Sequence, residues 1–261
     1  MKTAETENAQ TIAEPTTVAP PSAKLGLRLT LTVVALILVA IPFAFLLLQV
    51  LVKGPLTRVD QRIADQQNRY NLRDGYRVHV AKLVTQLGST VVLIAIVLVV
   101  AVFLAVFRRR RRQALFLVTT AVLGVITNNI IKTVVGRSRP HFTTAVAHAL
   151  GKSFPSGHAM NSTVVYGSLL LLAWPRLRTG LRRAAAAAVA AVLVLAIAAS
   201  RVALGVHYVS DVVAGIVLGA AFVLASAAAF KAWEHEGGHL PAAVENAPTV
   251  GDVAADAKTK V

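Results

Sequence analysis

The sequence contains no cysteine, which excludes disulfide bonds, a thiol nucleophile and a metal site built on cysteine ligands. Acidic residues are scarce as well, because 12 Asp and Glu stand against 27 Lys and Arg in 261 residues. From Gly75 to Trp233 the only acidic side chain is that of Asp211. A metal site that depends on several carboxylates therefore lacks ligands in this part of the chain.

Long apolar runs are abundant, and charged residues are nearly absent within them. The chain is 56% hydrophobic and its mean hydropathy is +0.64, above the values typical of soluble domains. Runs of about 20 apolar residues are long enough to cross a bilayer as helices. We therefore predict an all-α, polytopic membrane protein with a bundle of six transmembrane helices. The predicted spans lie near residues 29–52, 87–107, 114–135, 157–175, 184–201 and 209–231.

The organisation predicted around these spans is simple. Residues 1–24 and 234–261 lack hydrophobic periodicity and are expected to be disordered tails, whereas residues 25–233 form one membrane domain. Residues 53–82 form the single sizeable polar loop, which can hold a short amphipathic helix at the membrane interface. No function is assigned to this loop.

The formal charge of +15 does not indicate nucleic-acid binding, because most Lys and Arg residues flank apolar runs, where they contact lipid headgroups. The two predicted sides carry equal numbers of these residues. The dense cluster Arg108–Arg112 and the cluster between spans four and five lie on one side. We predict that this side is cytoplasmic, with both termini, and that the loop containing Ser153 faces outside the cytoplasmic membrane.

Several polar residues at span ends are expected to meet on that outer face. A third helix that starts at the cytoplasmic side carries Lys132 to the far interface after a rise of about 27 Å. The fifth helix delivers Arg201 there after about 24 Å. His207 and Asp211, four positions apart at the start of the sixth span, are expected to share one helix face. The converging residues are Lys132, Arg139, Ser156, His158, Arg201, His207 and Asp211.

This inventory favours a multiply charged anion such as phosphate. Arginine and lysine side chains donate charge-assisted hydrogen bonds to phosphate oxygens. Free N–H groups near Ser156 and Gly157, at the start of a helix, would add further hydrogen-bond donors. A histidine can attack phosphorus when a carboxylate orients it, which is the role that the spacing suggests for Asp211 toward His207. His158 can protonate the leaving alkoxide and then activate water.

Three segments carry a family resemblance: Lys132 to Pro140 (KTVVGRSRP), Pro155 to His158 (PSGH) and Ser200 to Asp211 (SRVALGVHYVSD). They resemble the signature motifs of the type 2 phosphatidic acid phosphatase superfamily, over roughly residues 85–232. The resemblance implies an outward-facing, metal-independent phosphomonoesterase or pyrophosphatase without cofactors. It also implies that His207 is the nucleophile and His158 the acid. The residues that it implies for phosphate binding are Lys132, Arg139, Ser156, Gly157 and Arg201.

Other interpretations stay open at this point. A transporter or flippase would bind lipid phosphate without cleaving it, and a haloperoxidase would use bound vanadate, although the membrane architecture argues against the latter. Phosphatidic acid, phosphatidylglycerophosphate and polyprenyl mono- or diphosphates all present the same terminal phosphate. Further polar and small residues are expected to contact the loop or headgroup (Arg137, His141, His148, Lys152), to bond between helices (Asn128, Asn129) or to allow close helix packing (Gly215, Gly219).

Overall fold

The computed structural model describes residue 37 and residues 39–236. The predicted tail 1–24 lies outside this part, as does the tail 234–261 apart from residues 234–236, which continue the last helix. Every regular element of the described residues is helical. The helices are α1 (Val39–Leu51), α2 (Pro55–Asn71), α3 (Gly75–Gln86), α4 (Thr90–Val102), α5 (Arg111–Val135), α6 (Gly157–Ala173), α7 (Gly180–Ala203) and α8 (Val209–Glu236).

Four helical stretches in the described part are long and apolar enough to cross a membrane: Gly75–Phe107, Arg111–Val135, Gly180–Ala203 and Val209–Phe230. α1 and α2 pass the same test only as a pair, and they are bent by 81° at their junction. The structure therefore supports a polytopic helical membrane protein with four or five candidate spans, and it does not confirm the predicted number of six.

The predicted polar loop 53–82 is helical over most of its length. α2 occupies its first half, and α3 continues into α4 after a turn at residues 87–89, so that the second span starts earlier than predicted. Pro55 stands at the start of α2, where its missing N–H costs nothing. The polar character that suggested a loop instead reflects the exposed side of α2.

Local signals fix the helix ends that carry site residues. α5 ends at Gly136, whose φ of 64° is left-handed and whose N–H bonds the Lys132 carbonyl at 3.0 Å. The Ser156 hydroxyl caps α6 by accepting a hydrogen bond from the Ala159 N–H. These ends place Lys132 and the start of α6 at the same end of the bundle.

α6 lies at the centre of the bundle and packs closely against α8. A Cβ atom added to Gly215 would lie 2.7 Å from the Ser156 carbonyl oxygen, and one added to Gly219 would lie 2.9 Å from the Met160 carbonyl oxygen. The predicted close packing through these glycines is therefore confirmed. The Asn128 Nδ2 atom lies 3.2 Å from the Met160 Sδ atom, which confirms the predicted contact between α5 and α6.

Gly215→Ala is expected to destabilise the protein, because the added methyl group meets backbone that no rotamer change can move away. Overpacking of this kind costs about 1–3 kcal/mol. Thermal unfolding in detergent measures the effect. Gly75→Ala is the matched control, since a Cβ atom there meets nothing within 4 Å. Equal unfolding temperatures for the two variants would contradict the packing argument.

Candidate active site

The structure brings the predicted site residues together at one end of the bundle. Arg139 follows α5, Arg201 lies in the last turn of α7, and His207 lies between α7 and α8. The Arg139 Nη1 atom is 2.9 Å from the His207 Nε2 atom. His158, at the start of α6, lies close enough to Arg201, Arg139 and Lys132 for their charges to act on it. The predicted convergence therefore extends across four separate helix ends.

His207 meets Asp211 by a different geometry from the one predicted. His207 precedes α8 instead of lying on it, so the two residues do not share a helix face. Asp211 lies in the first turn, where its Oδ2 atom accepts a hydrogen bond from the Tyr208 N–H at 2.9 Å, as in a capping box. The same oxygen lies 3.3 Å from the His207 Nδ1 atom. Helix capping thus brings the carboxylate to the imidazole.

This contact determines which nitrogen of His207 can react. A carboxylate only accepts hydrogen bonds, so we assign the proton of a neutral ring to Nδ1 and leave Nε2 as the acceptor. Burial, assisted by the charges of Arg139 and Lys132 and opposed by Asp211, lowers the pKa of His207 to about 4. His207 is therefore neutral at neutral pH, with a lone pair on Nε2.

Ser153 belongs to the site, although it was expected only as part of an outward-facing loop. Its side chain is fully buried and its hydroxyl donates a hydrogen bond to the Asp211 Oδ2 atom. Its N–H bonds the Arg137 carbonyl at 2.8 Å. No sequence signal distinguishes this serine from its exposed neighbours, because its role depends on the course of the loop.

Arg137 and Asp60 were also missed. The Arg137 guanidinium lies 2.6 Å from the Asp211 Oδ1 atom and 2.8 Å from the Asp60 Oδ2 atom, two ion pairs that the interpretation of Arg137 as a loop or headgroup contact did not include. Asp60 is 1% exposed and comes from α2, in the region to which no function was assigned. The two residues are 77 positions apart, and nothing in the local sequence connects them.

The three predicted phosphate-binding cations are held by uncharged partners. Lys132 Nζ donates to the Lys152 carbonyl at 2.9 Å, and Arg139 donates to the Val206 carbonyl at 2.8 Å. Arg201 Nη1 bonds the Thr85 hydroxyl at 2.9 Å. The buried Nε of Arg201 has no hydrogen-bond partner among the described residues. This nitrogen is therefore a buried donor that the described residues leave unsatisfied.

The start of α6 carries Ser156 and Gly157, both predicted to bind phosphate. The Ser156 N–H is not free, because it donates to the Asp211 carbonyl at 2.9 Å, so a phosphate contact of Ser156 through its hydroxyl stays a prediction. Gly157 faces the site closely, since a Cβ atom there would lie 3.3 Å from Asn128 Oδ1 and 3.8 Å from Lys132 Cε. A side chain at position 157 would therefore occupy space beside Lys132.

The remaining polar residues of the loop after α5 lie beside the site. His141, His148 and Lys152 line a cavity of about 480 Å³ that Arg139 also borders. Their role in headgroup contact stays a prediction. Within the described residues no group of three or more His, Asp or Glu side chains could hold a metal ion. The two carboxylates near His207, those of Asp60 and Asp211, both pair with Arg137.

The sequence that forms this site matches a known protein family. The family model of the PAP2 superfamily matches residues 113–234, which include α6, α7, nearly all of α5 and α8, and all eight predicted site residues. Residues 113–234 of the chain are therefore recognised as a PAP2 superfamily segment. The resemblance inferred from the three motifs is thereby confirmed at the level of the family.

Individual PAP2 relatives extend this result. A lipid A 1-phosphatase of Rhizobium etli is 35% identical over 121 residues, 43% of this chain and 48% of the relative. A phosphatidylglycerophosphatase B of Bacillus subtilis is 31% identical over 137 residues, 52% of this chain and 66% of the relative. The matches thus span about half to two thirds of the relatives' lengths.

A solved structure shows the same fold. The crystal structure of a transmembrane PAP2-type phosphatidylglycerolphosphate phosphatase from Bacillus subtilis superposes with a TM-score of 0.66. The alignment covers 74% of this chain and 96% of that chain, at 24% identity. The helical arrangement described above therefore resembles the fold of that transmembrane protein.

Proposed function

We propose that this PAP2 protein hydrolyses a phosphate ester or diphosphate of a membrane lipid, with His207 as nucleophile. The observation that carries the proposal is a neutral imidazole held between two groups of opposite charge. Asp211 Oδ2 lies 3.3 Å from Nδ1, and the Arg139 guanidinium lies 2.9 Å from Nε2. The reactive nitrogen thus faces the cations that would hold the phosphate.

The phosphate is bound by Lys132, Arg139 and Arg201, with Gly157 providing space and a backbone N–H. None of these three cations has a salt bridge among the described residues. Their positive charges are therefore uncompensated until an anion enters. Hydrogen bonds from such cations to phosphate oxygens are charge-assisted and therefore stronger than those between neutral groups.

The reaction proceeds in two displacements. The Nε2 lone pair of His207 attacks phosphorus, the bond to the leaving-group oxygen breaks, and His158 gives that oxygen a proton. Water then attacks the phosphohistidine, and His158 takes up a proton from it. The P–N bond breaks, and inorganic phosphate leaves. Asp211 stabilises the positive charge that the His207 ring carries in the intermediate.

No metal takes part in this scheme, because the cations already neutralise the phosphate. A flippase or transporter that only binds lipid phosphate would need the cations but not the His207, Asp211 and His158 set. Release of inorganic phosphate by purified protein separates the two functions.

The substrate belongs to the phospholipids and polyprenyl phosphates of the membrane. The names of the relatives specify phosphatases of two different lipids, lipid A and phosphatidylglycerophosphate. We therefore propose a shared terminal phosphate as the recognised group. A panel of these two lipids, phosphatidic acid and undecaprenyl diphosphate identifies the preferred one.

The architecture that fits this function has six spans and a site on the outer face of the cytoplasmic membrane. α6 has 17 residues, which at about 26 Å reaches the lower limit for a transmembrane helix, and it would complete the set. The arginine cluster before α5 lies at the end of that helix opposite Lys132.

His207→Gln is expected to reduce turnover at least about 1,000-fold, because the nucleophile is lost. Glutamine is preferable to alanine, since His207 is 2% exposed and a smaller residue would leave a cavity. Asp211→Asn is expected to reduce turnover more than about tenfold, because the amide misorients the ring. Phosphate release is the measurement, and His79→Gln, an exposed histidine of α3, is the control. Normal rates for His207→Gln would disprove the assignment.

Activity is expected to persist in EDTA. Vanadate is expected to inhibit competitively, because it is a phosphate analogue that would occupy the phosphate-binding site. The physical reason is that Lys132, Arg139 and Arg201 supply the positive charge that a metal would otherwise provide. Initial rates with and without chelator provide the test. Loss of activity in EDTA that magnesium or zinc restores would contradict the mechanism.

The orientation predicts different accessibility of the two ends to a membrane-impermeant thiol reagent in intact cells. Ser153 is unsuitable as a probe position because it is buried, whereas Leu150 in the same loop is 96% exposed. Leu150→Cys should be labelled and Arg110→Cys should not, in a chain without native cysteine. Labelling of Arg110→Cys alone would place the site on the cytoplasmic side.

A further inference from the structure

Asp60 is a buried carboxylate on an otherwise polar, largely exposed helix. It accepts hydrogen bonds from the Arg137 guanidinium at 2.8 Å, from the Ser210 N–H at 3.1 Å and from the Ser210 hydroxyl. Two elements that follow the membrane helices, the loop after α5 and the start of α8, thus meet on one residue of α2. Burial of a carboxylate is costly unless such partners are present.

Arg137 divides its guanidinium between two carboxylates. Its Nη2 atom bonds Asp60, while Nη1 bonds the Asp211 Oδ1 atom at 2.6 Å and the Ser210 hydroxyl at 2.7 Å. The guanidinium carbon lies 4.2 Å from the centre of the Tyr208 ring. Because both Nη atoms of this planar guanidinium are hydrogen-bonded and one of its faces stacks on an aromatic ring, the group cannot rotate freely.

This arrangement leaves the second oxygen of Asp211 for the imidazole. Arg137 occupies Oδ1, so Oδ2 is directed toward the Tyr208 N–H, the Ser153 hydroxyl and His207. The net charge of the cluster also favours a positively charged ring. Asp60 and Asp211 share one guanidinium, so the cluster carries one net negative charge, which a positively charged His207 ring would balance.

We propose that Asp60 and Arg137 are positioning residues that aim Asp211 at His207 and preserve its negative charge toward the ring. This inference rests on the proposed function of His207. Without Asp60, the single guanidinium would neutralise Asp211 and weaken its stabilisation of the phosphohistidine. Without Arg137, Asp211 Oδ1 would lose its anchor and two buried carboxylates would face each other.

The same contacts tie α2 to the catalytic end of the bundle. The Tyr208 hydroxyl donates to the Gln61 side chain at 3.0 Å, and the Asn71 side chain donates to the Ala203 carbonyl at 2.6 Å. Asp60 is therefore the point at which this helix reaches the reacting residues. The other two contacts hold α2 in place without touching Asp211.

Steady-state kinetics of Asp60→Asn and Arg137→Gln test the proposal, with phosphate release from the best lipid of the panel. Hydrogen bonds to charged groups correspond to losses of about 10- to 100-fold. We expect kcat to fall by that factor in each variant, with KM within about twofold of the wild type, because neither residue touches the phosphate. Asp65→Asn is the matched control, since Asp65 is on the same helix and bonds only Gln61 among the hydrogen bonds described.

Chemical rescue provides a second measurement. In Arg137→Ala, millimolar guanidinium should restore part of kcat, whereas urea, which has the same shape without charge, should not. If Arg137→Gln or Arg137→Ala fails to fold, the double variant Asp60→Asn/Arg137→Gln replaces it, because it leaves no unpaired charge at these two positions. The double variant should lose no more activity than the more impaired single variant.

The results separate this inference from the proposed function. Wild-type protein that releases no phosphate from any lipid would disprove the function. An active wild type together with a folded Asp60→Asn variant of unchanged kcat, or a change confined to KM, would overturn the positioning role alone. Equal rescue by urea and guanidinium would likewise exclude the charge of Arg137 as the cause.

Discussion

The buried carboxylate of Asp211 is the interaction on which the site depends. Its side chain is fully buried, so its charge must be met by donors from the protein. Those donors come from the loop after α5, through Arg137 and Ser153, and from the turn before α8, through Tyr208 and His207. One charge thus joins segments that are distant in sequence, and the position of His207, the proposed nucleophile, follows from the contacts that this charge requires.

Close packing of α6 against α8 also fixes the position of His158 relative to Asp211. Gly215 lets the Ser156 carbonyl approach α8, and the Ser156 N–H bonds the Asp211 carbonyl. The start of α6, with His158 two positions further on, is therefore fixed relative to the residue that orients His207. A bulkier residue at position 215 would therefore change the position of His158 relative to His207 as well as the stability of the protein.

The residues to which we assign phosphate binding and chemistry could be named from the sequence because their types and spacings are local, and because apolar runs predict where the helices bring them. The number of spans and the helical nature of residues 53–82 were less accessible, since α2 is polar and α6 is short. Asp60, Arg137 and Ser153 could not be predicted. Their function arises from contacts across the chain, and each would be an ordinary surface residue in another fold.

The scarcity of acidic residues noted in the sequence has a physical role at the site. Lys132, Arg139 and Arg201 are held by carbonyl and hydroxyl oxygens, which fix their positions without cancelling their charge. A carboxylate beside them would compete with phosphate for the same donors. The two carboxylates that are present instead share Arg137, on the Asp211 side of His207. Keeping negative charge on that side leaves the other side of the imidazole attractive to a phosphate dianion.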